Sequence, residues 1–358
     1  MTATTSPEDM SITRIESATH EEIRYCHDQR SGLRAIIAIH DTTLGPALGG
    51  TRFRPYPDVE SALEDARRLS EGMTYKAAVA GLDLGGGKAV VIGDPATART
   101  PRLLEAYGRF VGSFDGRYIT ACDVGTTSQD MDVISRSTEH VVARTEAAGG
   151  LGDSGYSTAY GVFASLRAAV EHSTGQGDLN GVRVGVEGAG KVGSQLVGLL
   201  LEDGASVLFS EPDGEARTRL LQRHPGIVHT ESVLDSDVDV YAPCALGATL
   251  TSGSAEAITA RIVCGAANNQ LADPGVEPRL AARGIVWVPD YVANAGGLVQ
   301  VAVERAGGTL AQARSRIGKL TGFVGEILRT AAADSVTPGQ AARRIAEERL
   351  RKAASRST

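Results

Sequence analysis

The chain has 358 residues, 42% of them apolar and 22% charged, which excludes a disordered or fibrous polypeptide and suits two soluble globular domains. Its net charge of −7, with no long Lys/Arg block, excludes an extended nucleic-acid surface. The four cysteines, Cys26, Cys122, Cys244 and Cys264, lack the short paired spacings of zinc frameworks and CxxC redox sites, and the seven histidines show no metal-ligand spacing, so no metal is expected.

The polar, acidic start has neither the cationic region nor the apolar core of a signal peptide, and no apolar run is long enough to span a membrane. The expected setting is cytoplasmic, with reduced thiols. Residues up to about Ser17 read as loosely ordered. Leu33 to His40 reads as a strand, and Ser61 to Ala80 as a helix carrying Lys76 in its last turns. Lys88 to Ile92 is a short buried strand closed by Gly93-Asp94-Pro95. A helix over Arg102 to Phe114 and a strand over Arg117 to Ala121 follow. That strand delivers Cys122-Asp123-Val124-Gly125-Thr126, a turn with an acid near its start.

The glycines of 149–155 mark the junction between halves, and a helix is expected from about Thr158 to His172. Beyond Gly181 the pattern alternates: Val182–Val186, Val192–Leu201, Ser206–Phe209, Glu215–Arg223, Val238–Tyr241, Ile262–Cys264, Ile285–Val288. Strands alternating with helices predict a parallel, doubly wound sheet. The tail from Leu310 to Arg351 is helical by composition, and Pro338 starts its last helix.

Two glycine signatures carry chemistry. Gly188-Ala189-Gly190-Lys191-Val192-Gly193 follows an apolar strand and opens an amphipathic helix, the context a dinucleotide fingerprint requires. Its glycines allow a tight turn and close backbone approach to a pyrophosphate at the helix N-terminus. Glu211 ends the next strand, 23 residues after Gly188; a carboxylate there binds ribose hydroxyls and repels a 2′-phosphate, favouring NAD over NADP. The second signature, Gly85-Gly86-Gly87-Lys88, is not a P-loop, because Leu82 and Ala89 stand where that motif needs glycine and Ser/Thr. Small backbone here is expected to let substrate lie against the chain. Burial and a second lysine, Lys76, would favour a neutral Lys88 able to act as a general base. Asp123 is a candidate proton partner, although spacing alone does not bring the three together.

The runs Leu44 to Arg52, Gly72 to Lys76, Gly85 to Lys88, Thr120 to Thr126, Thr158 to Val162, Ala242 to Ala245, Gly265 to Gln270 and Pro289 to Gly297 together resemble the Glu/Leu/Phe/Val amino-acid dehydrogenases, over nearly the whole chain and in order. The likeness looks closest to the valine, branched-chain members. It implies reversible oxidative deamination of an L-amino acid to a 2-oxo acid and ammonia, with NAD accepting the hydride. It implies an α/β fold of two domains: residues 1–150 as a substrate and oligomerisation domain, and 151–334 as a Rossmann-type NAD domain. The C-terminal helix, 335–358, returns to the first domain, the active site lies in the cleft between domains, and the assembly is a homo-oligomer.

By family role, Lys76 and the backbone of Gly49 and Gly50 hold the α-carboxylate, Lys88 activates water, and Asp123 moves protons at nitrogen. Asn268 and Asn294 lie near nicotinamide and substrate, and Thr158 with Ala242, Pro243 and Cys244 flanks the cofactor. Glutamate members carry a lysine and a serine where this chain has Leu48 and Val301. Without those partners a second carboxylate would be costly to bury, so an apolar side chain is expected. Ala121, where many phenylalanine enzymes have glycine, argues for valine, leucine or isoleucine. A phenylalanine dehydrogenase on the same scaffold, or a non-catalytic NAD-binding protein, are the competing readings.

Overall fold

A computed structural model describes residues 10–356. By contact density the chain divides into two units. One holds the described chain up to Asp153 together with Glu304–Gly307 and the segment from Arg349 onward. The other holds Ser154–Val303 and Gly308–Glu348.

The first unit is built on a mixed six-stranded sheet: β1 (Met10–Ile15), β2 (Glu22–Asp28), β3 (Leu33–Asp41), β4 (Ala47–Arg54), β5 (Gly85–Ile92) and β6 (Tyr118–Cys122). Their order is β1-β2-β3-β5-β4-β6, so β4 lies between β5 and β6, parallel to both. Helix α1 (Val59–Val79) covers one face; α2 (Pro95–Ala98), α3 (Pro101–Gly112) and α4 (Ser128–Ile134) follow. Phe110 and Phe114 are fully buried with Tyr107 against Phe53, Ala89 and Val91, and each Phe contributes about 1.5–3 kcal/mol relative to an exposed ring.

Helix α1 starts at Asp58, whose side chain accepts from the Ser61 N–H, 2.7 Å away. Its buried stripe, Ala62, Ala66, Ser70, Thr74 and Ala77, is of small residues, so the helix lies close on the sheet. Leu63 and Ala66 pack there with Ile36, Ala38 and Val90.

Four strands depart from the sequence-based expectation. β1 occupies residues expected to be loosely ordered, pairing antiparallel with β2, itself unassigned. The remainder of that expectation, residues 1–9, lies outside the described residues. β4 was likewise unassigned, and β5 begins at Gly85 rather than Lys88. In both, glycines of poor strand propensity are held by tertiary fit: a Cβ on Gly49 would strike the Gly87 carbonyl, and one on Gly86 would strike the backbone N and Oγ1 of Thr74 in α1.

The second unit opens with α5 (Gly155–Thr174) and continues with β7 (Arg183–Glu187), α6 (Gly193–Glu202), β8 (Ser206–Ser210), α7 (Gly214–Arg223), β9 (Val228–His229) and β10 (Val240–Pro243). Then come α8 (Ser252–Ala257), β11 (Ile262–Val263), α9 (Val276–Ala282), β12 (Val286–Trp287), α10 (Asp290–Ala293), α11 (Gly296–Arg305), α12 (Leu310–Gly318), α13 (Leu320–Asp334) and α14 (Pro338–Ala354), with the ends of α11 and α14, from Glu304 and from Arg349, belonging to the first unit. The strand order β12-β11-β10-β7-β8-β9 is all parallel, and the order reverses between β7 and β10. This is the doubly wound dinucleotide-binding topology, with its crevice at the β7/β10 switch point. Among the described residues no helix is long and apolar enough to cross a membrane.

Candidate active site

Side chains alternate across a strand, so Leu48, Gly50 and Arg52 of β4 share one face of the first unit's sheet. Arg52 pairs with Asp65 of α1, which identifies this as the α1 face. β5 places Lys88 there too, since its neighbours Gly86 and Val90 contact α1 and the α1 core. β6 registers Ala121 beside Gly50, and Asp123 follows at its end. The β4–β5 register, Leu48 with Gly86 and Thr51 with Ala89, sets Gly50 level with Lys88.

Gly50 therefore stands between the strand bearing Lys88 and the turn bearing Asp123. A Cβ on Gly50 would approach Asp123 Cβ to 2.8 Å and the Cys122 carbonyl to 2.5 Å. With no side chain there, Lys88 Nζ reaches Asp123 Oδ2 at 2.7 Å. Lys88 is only 6% exposed. Burial pushes the Asp123 carboxyl up, but the charges of Lys88 and then Arg52 outweigh it and hold the group down at about 2. Asp123 is a carboxylate at every ordinary pH in this form.

One part of the sequence-based picture changes. The glycines of 85–87 do not open backbone for substrate: Gly86 seats α1 and Gly87 lies under the Tyr118 ring, where a Cβ would come within 2.8 Å of ring carbons. Lys88 meets Asp123, the candidate partner that spacing alone could not bring to it, as an ion pair.

Lys76 lies in the last turn of α1, the helix that Gly86 seats. Gly49 turns to the other face, and its carbonyl accepts from Tyr118 O–H at 2.8 Å. Leu48 is 1% exposed and Ala121 5%. Arg52 was not assigned a role from sequence, although it stands inside a motif that was noticed. Its Nε donates to Asp123 Oδ2 at 3.1 Å and its Nη1 to Asp65 Oδ2 at 3.0 Å.

The second unit assembles the other residues. Gly188 is left-handed (φ +91), donates its N–H to the Ser210 carbonyl, and sits against Ala245, where a Cβ would approach Ala245 Cβ to 2.8 Å. Gly193 has no room for a side chain either, because the Gly188 carbonyl would meet it. A Cβ on Gly190 would meet nothing within 4 Å. Gly188 and Gly193 thus close the turn, whereas Gly190 leaves its outer side open. Lys191 follows within the same turn. Val192 precedes α6 and offers no side-chain cap; within the turn the Ser194 N–H donates to the Gly190 carbonyl and the Gln195 N–H to the Val192 carbonyl, so the helix start is closed by backbone alone.

Glu211 Oε2 accepts from Ala189 N–H at 2.7 Å and Oε1 from Asp213 N–H at 2.9 Å. Each oxygen keeps a further lone pair for a ribose hydroxyl. These features, a helix start without a side-chain cap, an open glycine and a fixed acid beyond the next strand, fit a dinucleotide.

Ala242 and Pro243 end β10 beside β7, and Cys244 N–H donates to the Glu187 carbonyl at 2.7 Å. Burial pushes the Cys244 thiol up to about 12, so it is inert packing rather than a nucleophile. Thr158 Oγ1 donates to the Ser154 carbonyl within α5 and lies near Gly297, where a Cβ would come within 2.7 Å. Asn294, 4% exposed, donates to Asn268 Oδ1 at 2.7 Å and to the Ala266 carbonyl at 3.1 Å. The sequence pattern placed these two asparagines near each other only through resemblance; the hydrogen bond joins them directly. Val301, on α11, is 5% exposed.

Comparison with known proteins places this geometry. Residues 18–140 match the family model described as "Glu/Leu/Phe/Val dehydrogenase, dimerisation domain", and residues 215–357 match "Glutamate/Leucine/Phenylalanine/Valine dehydrogenase". The chain is 50% identical to a valine dehydrogenase of Streptomyces virginiae, covering 92% of this chain and 94% of that one. It is 42% identical to a leucine dehydrogenase of Bacillus subtilis, covering 94% and 93%. The crystal structure of an L-tryptophan dehydrogenase from Nostoc punctiforme superposes with a TM-score of 0.81 at 41% identity, covering 94% and 97%. Two matched family domains and relatives of this similarity over nearly the full length settle the assignment: the chain belongs to the Glu/Leu/Phe/Val dehydrogenase family and is a nicotinamide-dependent amino-acid dehydrogenase.

Proposed function

We infer that the protein oxidatively deaminates a branched-chain L-amino acid, valine, leucine or isoleucine, with NAD, giving the 2-oxo acid, ammonium, NADH and a proton. The observation that carries the reading is the buried Lys88–Asp123 pair on a sheet face where the neighbouring positions, Leu48 and Ala121, are apolar. The valine and leucine dehydrogenase relatives agree with it.

Lys76 pairs with the substrate α-carboxylate, beside the backbone of Gly49 and Gly50. The bound nicotinamide supplies the hydride acceptor for Cα. Oxidation leaves an iminium, which water attacks at carbon as Lys88 takes the water proton. Asp123 takes a proton from the substrate ammonium before hydride transfer and returns it to the departing nitrogen. The pair is coupled: Lys88 is the larger of the two attractive charges on Asp123, so a neutral Lys88 raises the proton affinity of Asp123 when nitrogen must be handled. In the second unit, Gly188 to Gly193 cradle the pyrophosphate, Glu211 takes the ribose, and Asn268, Asn294, Thr158 and the Ala242–Cys244 turn border the nicotinamide half. The Glu211 carboxylate, fixed on the Ala189 N–H, opposes a 2′-phosphate and supports NAD over NADP. Assembly as a homo-oligomer is supported by the dimerisation-domain match, and the cytoplasmic setting by four free cysteines.

Following NADH absorbance over a panel of L-amino acids tests the reading. The expected result is turnover with valine, leucine and isoleucine, and little with glutamate or with NADP. Efficient glutamate turnover overturns the substrate class, preferred tryptophan or phenylalanine overturns the branched-chain assignment, and NADP preference overturns the role of Glu211.

A paired substitution tests the two glycine signatures. Gly86→Ala should lower urea-unfolding stability by about 1–3 kcal/mol, because the added methyl overlaps α1. Gly190→Ala should leave stability nearly unchanged but weaken NADH binding, since its side chain enters only the space a pyrophosphate would use. Equal behaviour of the two variants in both measurements would show that Gly190 does not face the cofactor.

A further inference from the structure

Asp123 is held by more than its lysine. Arg52 joins it through Nε while the same guanidinium donates from Nη1 to Asp65, and both Arg52 and Asp65 are mostly buried, with side chains 15% and 14% exposed. Asp65 is itself saturated: Oδ2 also accepts from Tyr56 O–H at 2.6 Å, and Oδ1 from Arg68 Nη2 at 2.9 Å. The planar fork of an arginine can bind two carboxylates at fixed separation, which a lysine cannot do. Asp65 and Lys76 both belong to α1, eleven residues apart, which at 3.6 residues per turn sets them on nearly the same side of the helix. Arg52 therefore ties the turn that carries Asp123 to the helix that carries Lys76.

We propose that Arg52, clamped by Asp65 and Tyr56, is a positioning residue for the reaction: it holds Asp123 against Lys88 and keeps the Asp123 carboxylate charge-compensated when Lys88 loses its proton. The proposal rests on the roles given to Lys88 and Asp123 above. Without a second cation, a neutral Lys88 would leave a buried carboxylate unpaired, and that carboxylate would keep the proton it must pass on. With Arg52 in place, Asp123 stays a competent donor, because its conjugate base remains stabilised. The charged groups facing Asp123 are Lys88 from β5 and Arg52 from β4, and the Tyr118 phenol of β6, on the opposite face, feels its charge. Beyond Arg52 stand Asp65 and Arg68 of α1, the helix of Lys76, and Tyr56 from the segment before it.

The sign of the pH effect follows. Removing one of the two cations beside Asp123 raises the proton affinity of the coupled Lys88–Asp123 pair, so the acid limb of the kcat/KM profile should move to higher pH. For Arg52→Gln the expected result is a fall in kcat on the order of 10–100-fold, within the span of proton-transfer contributions, with unchanged NADH affinity. Arg52→Lys should restore the wild-type acid limb, since the charge returns, while kcat stays reduced on the order of tenfold, since one ammonium cannot span both carboxylates. Asp65→Asn should lower kcat less than Arg52→Gln and leave the acid limb in place. Each variant's unfolding midpoint is measured alongside. An Arg52→Gln enzyme with wild-type kcat and pH profile overturns the proposal. So does one that is merely less stable while its folded fraction keeps both. If Arg52→Gln does not fold, Arg52→Lys decides: wild-type kcat with Lys in place refutes the clamp. Failure of the wild type to reduce NAD with any amino acid would instead refute the underlying reading, so the two failures are told apart.

Discussion

Replacing Lys88 with Ala should lower kcat for L-valine oxidation by about 10²–10⁴-fold, the usual span for loss of a general base, and leave NADH affinity nearly unchanged. The residues proposed to bind the cofactor belong to the other unit, on β7, α6 and the turn after β8. Two controls separate proton chemistry from charge. Lys88→Arg keeps a cation beside Asp123, yet a guanidinium does not give up its proton, so it should be as inactive as Lys88→Ala. Asp123→Asn should also be slow, and the double variant should be no worse than the poorer single one, because the two groups 2.7 Å apart act as a unit. Lys76→Ala should differ in kind, raising KM for the amino acid strongly, since there an anion loses its partner. If Lys88→Ala kept near-normal kcat, Lys88 would be a structural ion-pair partner, and the base would have to be sought elsewhere on the α1 face.

The two glycine signatures show how far the sequence could be read. The β7–turn–α6 unit was legible because its signal is local: an apolar strand, three glycines at set spacing and an acid at the end of the next strand. In the fold Gly190 is open on its outer side and Glu211 is bonded to the Ala189 N–H of the turn. The alternation beyond Gly181 likewise carried the parallel sheet, although β9, an edge strand with no buried residue, left no apolar run to be seen.

The substrate half was harder, for three physical reasons. β1 exposes nearly all its side chains at the sheet edge, so it has no buried face to impose alternation. β4 and β5 contain glycines whose purpose is contact with Gly87, Asp123 and α1, and such contacts between distant segments leave no mark on local propensity. Lys88 and Asp123 meet because β4 is inserted between their strands, with Gly50 bare at the crossing level, and strand order is not written in spacing. Arg52 illustrates the same limit: its motif was visible, but its partners on α1 and beyond β6 emerge only from the fold.

Leu48→Lys carries the specificity argument, and its expected effect is large. Leu48 is 1% exposed, registered between Gly86 and Ile119 on the face that holds Lys88. An ammonium placed there without a partner meets the desolvation that makes unpaired buried charges cost about 3–5 kcal/mol. For valine the new charge would lie against a methyl group, and kcat/KM should fall by roughly 10² or more, the equivalent of about 3 kcal/mol of lost transition-state binding. For glutamate the same charge has a carboxylate to pair with, so kcat/KM should rise from a very low base. Full conversion is not expected, since Ala121, buried on the same sheet face, offers no hydrogen bond and the surrounding shell there is shaped for apolar contact. Leu48→Met, of similar volume and no charge, serves as the control for packing and should keep valine turnover within a small factor. The quantity that decides is the ratio of kcat/KM for glutamate to that for valine, measured on variants whose unfolding midpoints show them folded. A ratio that rises in Leu48→Lys but not in Leu48→Met places Leu48 against the substrate side chain. An unchanged ratio means that Leu48 is only core packing under β4, and the apolar substrate class would then rest on the relatives alone.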